Sequence, residues 1–61
     1  MLINRALSTL PEEQKEAVVL KVWTDMTFEE IAEVQQCSLQ TVASRYRYAI
    51  ARLKELIPWN R

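Results

Sequence analysis

Between Gln40 and Tyr48 the chain reads Q-T-V-A-S-R-Y-R-Y. Gln40 and Thr41 both donate and accept hydrogen bonds, Arg45 and Arg47 carry guanidinium forks, and Tyr48 carries a phenol. Base edges and phosphate oxygens offer the complementary groups, and arginine in particular pairs with guanine or phosphate. Ala43 and Ser44 are small enough to let a partner come close. On a helical wheel Gln40, Thr41, Ser44, Arg47, Tyr48 and Ala51 share one side, flanked by Arg45 and Arg52. Leu39, Val42, Tyr46, Ala49, Leu53 and Leu56 form a separate stripe at spacings of 3, 4, 3, 4 and 3, with Ile50 and Ile57 beside it. These residues are suited to binding a polyanion. The competing reading of the same pattern is a solvated face on an ordinary bundle helix.

Catalytic chemistry lacks its usual parts. The chain has no histidine, no glycine and one cysteine, Cys37, so a nucleophile–base pair, a histidine–cysteine metal site and a glycine-rich phosphate loop are all missing. Glu29, Glu30 and Glu33 invite an acid–base or metal reading, but Glu30 is needed for helix capping and the others suit a solvated or partner-facing surface. The expectation is a protein that is not an enzyme and needs no cofactor. Cys37 reads as a small buried hydrophobe in a turn. A lone cysteine makes no internal disulfide, which fits a reducing, cytoplasmic setting. No segment is long and apolar enough for a membrane span, and no secretory signal is visible.

The elements that must position these residues are all helices. Sixty-one residues bound the chain to a single domain, 1–61, and the 49% apolar content suits a globular fold. Without glycine, and with only Pro11 and Pro58 as breakers, the sequence predicts an all-α, small four-helix domain over about 2–9, 11–23, 28–35 and 38–56. Leu2, Ile3, Ala6, Leu7 and Leu10 give the first helix its face. Pro11 suits the first turn of the second. Ala17, Val18, Val19, Leu20, Val22 and Trp23 make that second helix apolar nearly all round, which places it in the bundle centre with Trp23 in the core. Thr27 and Glu30 form a capping box for the third helix, whose apolar side is supplied by Phe28, Ile31, Ala32 and Val34. After a Gln35-Gln36-Cys37 turn, Ser38 caps the fourth, which stops before Pro58. A short helix, a tight turn and a longer capped helix make a C-terminal helix-turn-helix, whose second helix enters the major groove. Tyr46 belongs to the core stripe, and Trp59 either closes the bundle end or faces a neighbouring domain.

Charge is balanced overall but not evenly spread. Residues 1–36 hold Arg5, Lys15 and Lys21 against seven acids, a net −4; residues 37–61 hold Arg45, Arg47, Arg52, Lys54 and Arg61 against Glu55, a net +4. A polyanion responds to the local field rather than to the sum.

The segments "LPEEQ", "TFEEIAEV" and "S-x-x-TV-x-SR", in this order and spacing within residues 7–56, resemble region 4 of the sigma-70 family of bacterial transcription initiation factors. The form is nearest to the extracytoplasmic-function type. The resemblance implies a DNA-binding domain that reads the promoter's minus-thirty-five element and docks on the flap of RNA polymerase core. It puts Gln40, Thr41, Ala43, Ser44, Arg45, Arg47 and Tyr48 at recognition-helix contact positions and the first two helices against the polymerase. It leaves an anti-sigma protein as a further partner, and the expected state of the chain is a monomer.

The chain departs from that pattern in places. Gln36 stands where the family commonly has glycine, so some other residue must take up the tight conformation, at about 1 kcal/mol. Ala43, Tyr48, Ile50 and Ala51 occupy positions that are commonly basic, which removes phosphate anchors and implies weak, salt-sensitive DNA binding. The promoter-opening regions are missing, so the chain reads as an excised domain or a stand-alone relative. The lost basic residues leave a second reading open: a helix-turn-helix-fold protein-interaction module, acting as an adaptor or anti-sigma-binding partner with little DNA affinity. A third, a dimeric regulator of palindromes, conflicts with a core stripe that the domain needs for itself.

Overall fold

The computed structural model describes residues 2–56, with side chains from Arg5 onward. The expected roles of the Leu2 and Ile3 side chains, and of Ile57, Pro58, Trp59 and Arg61, lie outside those residues. Four helices and no strand occur among the described residues: α1 (Leu2–Ser8), α2 (Glu12–Val22), α3 (Phe28–Gln35) and α4 (Leu39–Leu56). The all-α, four-helix expectation holds, with boundaries within about one residue of those read from the sequence.

Each helix end has a local cause. Pro11 (φ −55°, ψ 152°) sits just ahead of α2 rather than in its first turn, and its carbonyl accepts from the Lys15 N–H at 2.9 Å. Glu12 and Glu13 follow at the positive end of the helix dipole. The capping box of α3 is complete. Glu30 N–H donates to Thr27 Oγ1 at 3.1 Å, and Thr27 N–H donates to Glu30 Oε1 at 2.8 Å. Ser38 Oγ accepts from the Thr41 N–H at 3.1 Å, starting α4 as its residue type predicts.

Two corners need a left-handed residue, and a chain without glycine must use other types. Asp25 takes φ 59° between α2 and α3, and Gln36 takes φ 53° between α3 and α4. Gln36 itself therefore supplies the tight conformation that the sequence assigned to some other residue. The Cys37 N–H donates to the Ala32 carbonyl at 3.1 Å and the Gln36 N–H to the Glu33 carbonyl at 3.3 Å. This doubly bonded C-terminal turn normally favours glycine at the left-handed position.

The longest helix organises the core. α4 spans about 27 Å at 1.5 Å per residue, most of the molecule's longest dimension of 32 Å. α1, α2 and α3 all pack on it. Ala6, Leu7, Leu10, Val18, Ala49 and Leu53 form a buried cluster, with Tyr46 and Ile50 packed against it. Ala17, Ile31 and Val42, one each from α2, α3 and α4, are fully enclosed. The rings of Phe28 and Tyr46 pack in a tilted pair between α3 and α4.

Burial corrects three expectations. α2 does not run through the centre: only Ala17 and Val18 are buried along it, while Val22 and Trp23 are 53% and 55% exposed. Trp23 is therefore not a core residue. The ends of the α4 stripe are open as well, with Leu39 at 46% and Leu56 at 38%. Val34 is likewise exposed at 51%, because α3 is short and turns only its Phe28–Ile31 side inward.

Candidate nucleic-acid interface

The seven residues singled out at the start of α4 come together on one open face. Gln40, Thr41, Ala43, Ser44, Arg45, Arg47 and Tyr48 line a single shallow groove. None of them is buried: Gln40, Arg47 and Tyr48 are exposed, and Thr41, Ala43, Ser44 and Arg45 are half-buried. The helical period produces this arrangement. Val42, Ala49 and Leu53 point inward and are buried, which turns the intervening polar positions outward.

The polar groups differ in how free they are. The Thr41 hydroxyl lies 2.9 Å from the Ser38 hydroxyl, so it shares in the cap of α4. Arg45 Nη1 donates to Gln35 Oε1 at 2.9 Å and approaches Cys37 Sγ at 3.5 Å. Arg45 is thus tethered to the end of α3 and the turn, with its Nε and Nη2 donors left without a partner among the described residues. Arg47 makes no hydrogen bond or ion pair among them. Arg52, at the flank, pairs with Glu55 at 3.2 Å in an exposed contact, the kind that contributes little to stability. Cys37 is half-buried rather than enclosed.

A second groove adjoins the first across Gln40 and Ala43, and adds Lys21, Thr27, Phe28, Glu29, Ser38 and Leu39. Lys21 Nζ stands 4.9 Å from the centre of the Phe28 ring, a cation held over an aromatic face. Sequence reasoning assigned Leu39 to the core and gave Lys21 no place near α4. The sequence signal for Leu39 was its position in the first turn, where a stripe residue has no preceding turn beside it. Lys21 had none, because its approach depends on how α2 lies across α3. The sequence signal for Gln35 is its place after Phe28 and Ile31, at successive spacings of 3 and 4, on an otherwise apolar face.

The arrangement can present hydrogen-bonding and cationic groups along one convex helix to a long, regularly spaced anion. No helix among the described residues is long and apolar enough to cross a membrane. Among the same residues, no three His, Cys, Asp or Glu side chains are grouped to hold a metal ion. The family model described as "Sigma-70, region 4" matches residues 1–53. No curated protein and no solved structure matches the chain.

Proposed function

The chain belongs to the sigma-70 region 4 family, a family of DNA-binding domains in transcription initiation rather than of enzymes, and on that premise we propose that it reads the promoter's minus-thirty-five element. In this reading α4 lies in the major groove with Gln40, Thr41, Ala43, Ser44 and Arg45 toward the bases. Arg47 and Tyr48 lie toward the phosphates, and α3 crosses the backbone. α1 and α2 meet the flap of RNA polymerase core, and the acidic N-terminal half also offers a surface to an anti-sigma protein. The domain, residues 1–61, acts as a monomer in the cytoplasm, as the promoter-reading part of an extracytoplasmic-function type sigma factor.

The observation that supports this best is the grouping of all seven residues on one open face of α4, with none drawn into the core. Titration of fluorescent duplexes by this chain, at two salt concentrations, tests it. With about three phosphate contacts, a fourfold rise in salt lowers affinity roughly fortyfold. A selected promoter duplex should outcompete a scrambled one. Salt-independent or undetectable binding would defeat the proposal.

One observation favours the adaptor reading. Ala43, Tyr48 and Ala51 leave the outer face of α4 short of cations, and Arg45 spends two donors within the molecule. If the duplex titration fails while the chain still binds RNA polymerase or an anti-sigma protein, the adaptor role stands in its place.

A further inference from the structure

Gln35 is a half-buried polar residue that follows Ile31 on α3, and its side-chain amide is used at both ends. Nε2 donates to the Glu13 carbonyl and to Glu16 Oε1, each at 3.0 Å. Oε1 accepts from Arg45 Nη1 at 2.9 Å. Chemistry fixes the orientation of the amide: a guanidinium can only donate, and a carbonyl or carboxylate can only accept. A flipped amide would lose all three bonds. One side chain therefore ties α2, α3 and α4 together at a single point.

Its effect falls on Arg45. Nη1 is held between Gln35 Oε1 and Cys37 Sγ, and the guanidinium is planar. Two contacts on one nitrogen thus restrict the tilt of the whole group. An unrestrained surface arginine samples many rotamers and gives up that freedom when it binds, whereas a clamped one gives up less. The clamp also selects which donors remain, namely those of Nε and Nη2.

We infer that Gln35 is a positioning residue for sequence reading: through its amide it sets the guanidinium of Arg45, and through Glu13 and Glu16 it links that setting to α2. The inference rests on the proposal that α4 contacts DNA. It gives Arg45 one presented geometry, so the domain distinguishes a matched base pair at that position more sharply than a free arginine would.

The test is a double-mutant cycle on the whole chain. Gln35→Met, Arg45→Ala and the double variant are titrated against duplexes that the unaltered protein selects from a random pool, and against single-base mismatches of them. Gln35→Met should weaken the matched duplex about fivefold, within the range for residues sharing one network. It should also lower the matched-to-mismatched ratio, and do neither in the Arg45→Ala background. Gln35→Glu keeps an acceptor for Arg45 while losing the donors to α2. It should preserve the ratio, which cancels its general charge effect, while its melting temperature falls. Equal losses from Gln35→Met in both backgrounds, or an unchanged ratio, would overturn the inference. Normal binding by Arg45→Ala would overturn it too, and leave DNA reading to the rest of α4. If the unaltered protein selects no duplex at all, DNA reading itself falls and takes the inference with it.

Discussion

Phe28, at the start of α3, meets Tyr46, near the middle of α4, with ring centroids 5.4 Å apart and planes inclined at 59°. The pair joins the two helices of the helix-turn-helix, and Lys21 Nζ stands 4.9 Å from the centre of the Phe28 ring. Tilted aromatic pairs at this distance contribute about 0.5–1.5 kcal/mol beyond the area they bury. A double-mutant cycle of Phe28→Leu and Tyr46→Leu by thermal unfolding should return a coupling of that size. Additive losses would show that the rings only fill space.

Burial separates two large apolar residues that the sequence treats alike. Val42 is fully enclosed and Trp23 is 55% exposed. Val42→Ala should cost about 1.5–3 kcal/mol, while Trp23→Ala should cost under about 1 kcal/mol. Denaturant unfolding of the two variants checks the order, which the sequence pattern alone would not have predicted.

The capping box predicts a third result. Thr27→Ala removes the acceptor of the Glu30 N–H and should cost about 0.5–2 kcal/mol. In a domain of this size 1 kcal/mol moves the melting temperature by about 4–8 °C. Thr27→Ser should restore most of the loss, because a serine hydroxyl makes the same bond.

The left-handed corners respond in graded fashion. Gln36→Gly relieves a side chain held at φ 53° and should raise stability by about 0.5–1 kcal/mol. Asp25→Gly, at φ 59°, should raise it less, since aspartate tolerates that region better than glutamine does. A fall on Gln36→Gly would mean that the glutamine side chain earns its place by a contact of its own.

Salt dependence distinguishes the cations of α4. Each phosphate contact contributes about 0.9 to the slope of log affinity against log salt. Arg47→Ala should lower the slope by roughly that amount, since Arg47 is exposed and makes no ion pair among the described residues. Arg52→Ala should lower it less, because its guanidinium pairs with Glu55 at 3.2 Å. Equal slopes for the two variants would remove Arg47 from the contacts.

Helix type, order and caps were legible because they depend on residues close in sequence. Thr27 and Glu30 lie three apart, as do Ser38 and Thr41, and the 3–4 rhythm of α4 sorts inward from outward positions without knowledge of the neighbours. The open face of Gln40, Ser44 and Arg47 followed from that rhythm. Exposure at helix ends did not, because it depends on how far a covering helix reaches. Hence Trp23 and Leu39 were misplaced. The Gln35 ties to Glu13 and Glu16 span 22 and 19 residues of sequence, and no local pattern encodes such a distance. Gln36 fell between these cases: a corner was required there, but glutamine is not a residue type that announces one.

The connection from α3 to α4 is short and bonded to the helix on either side. Gln36 and Cys37 each commit a backbone N–H to the preceding helix, and Ser38 commits its hydroxyl to the next. Whatever grips one helix therefore moves the other as part of the same body. In the DNA-reading role proposed above, such a unit would meet the groove already shaped, with less motion to be frozen out on docking.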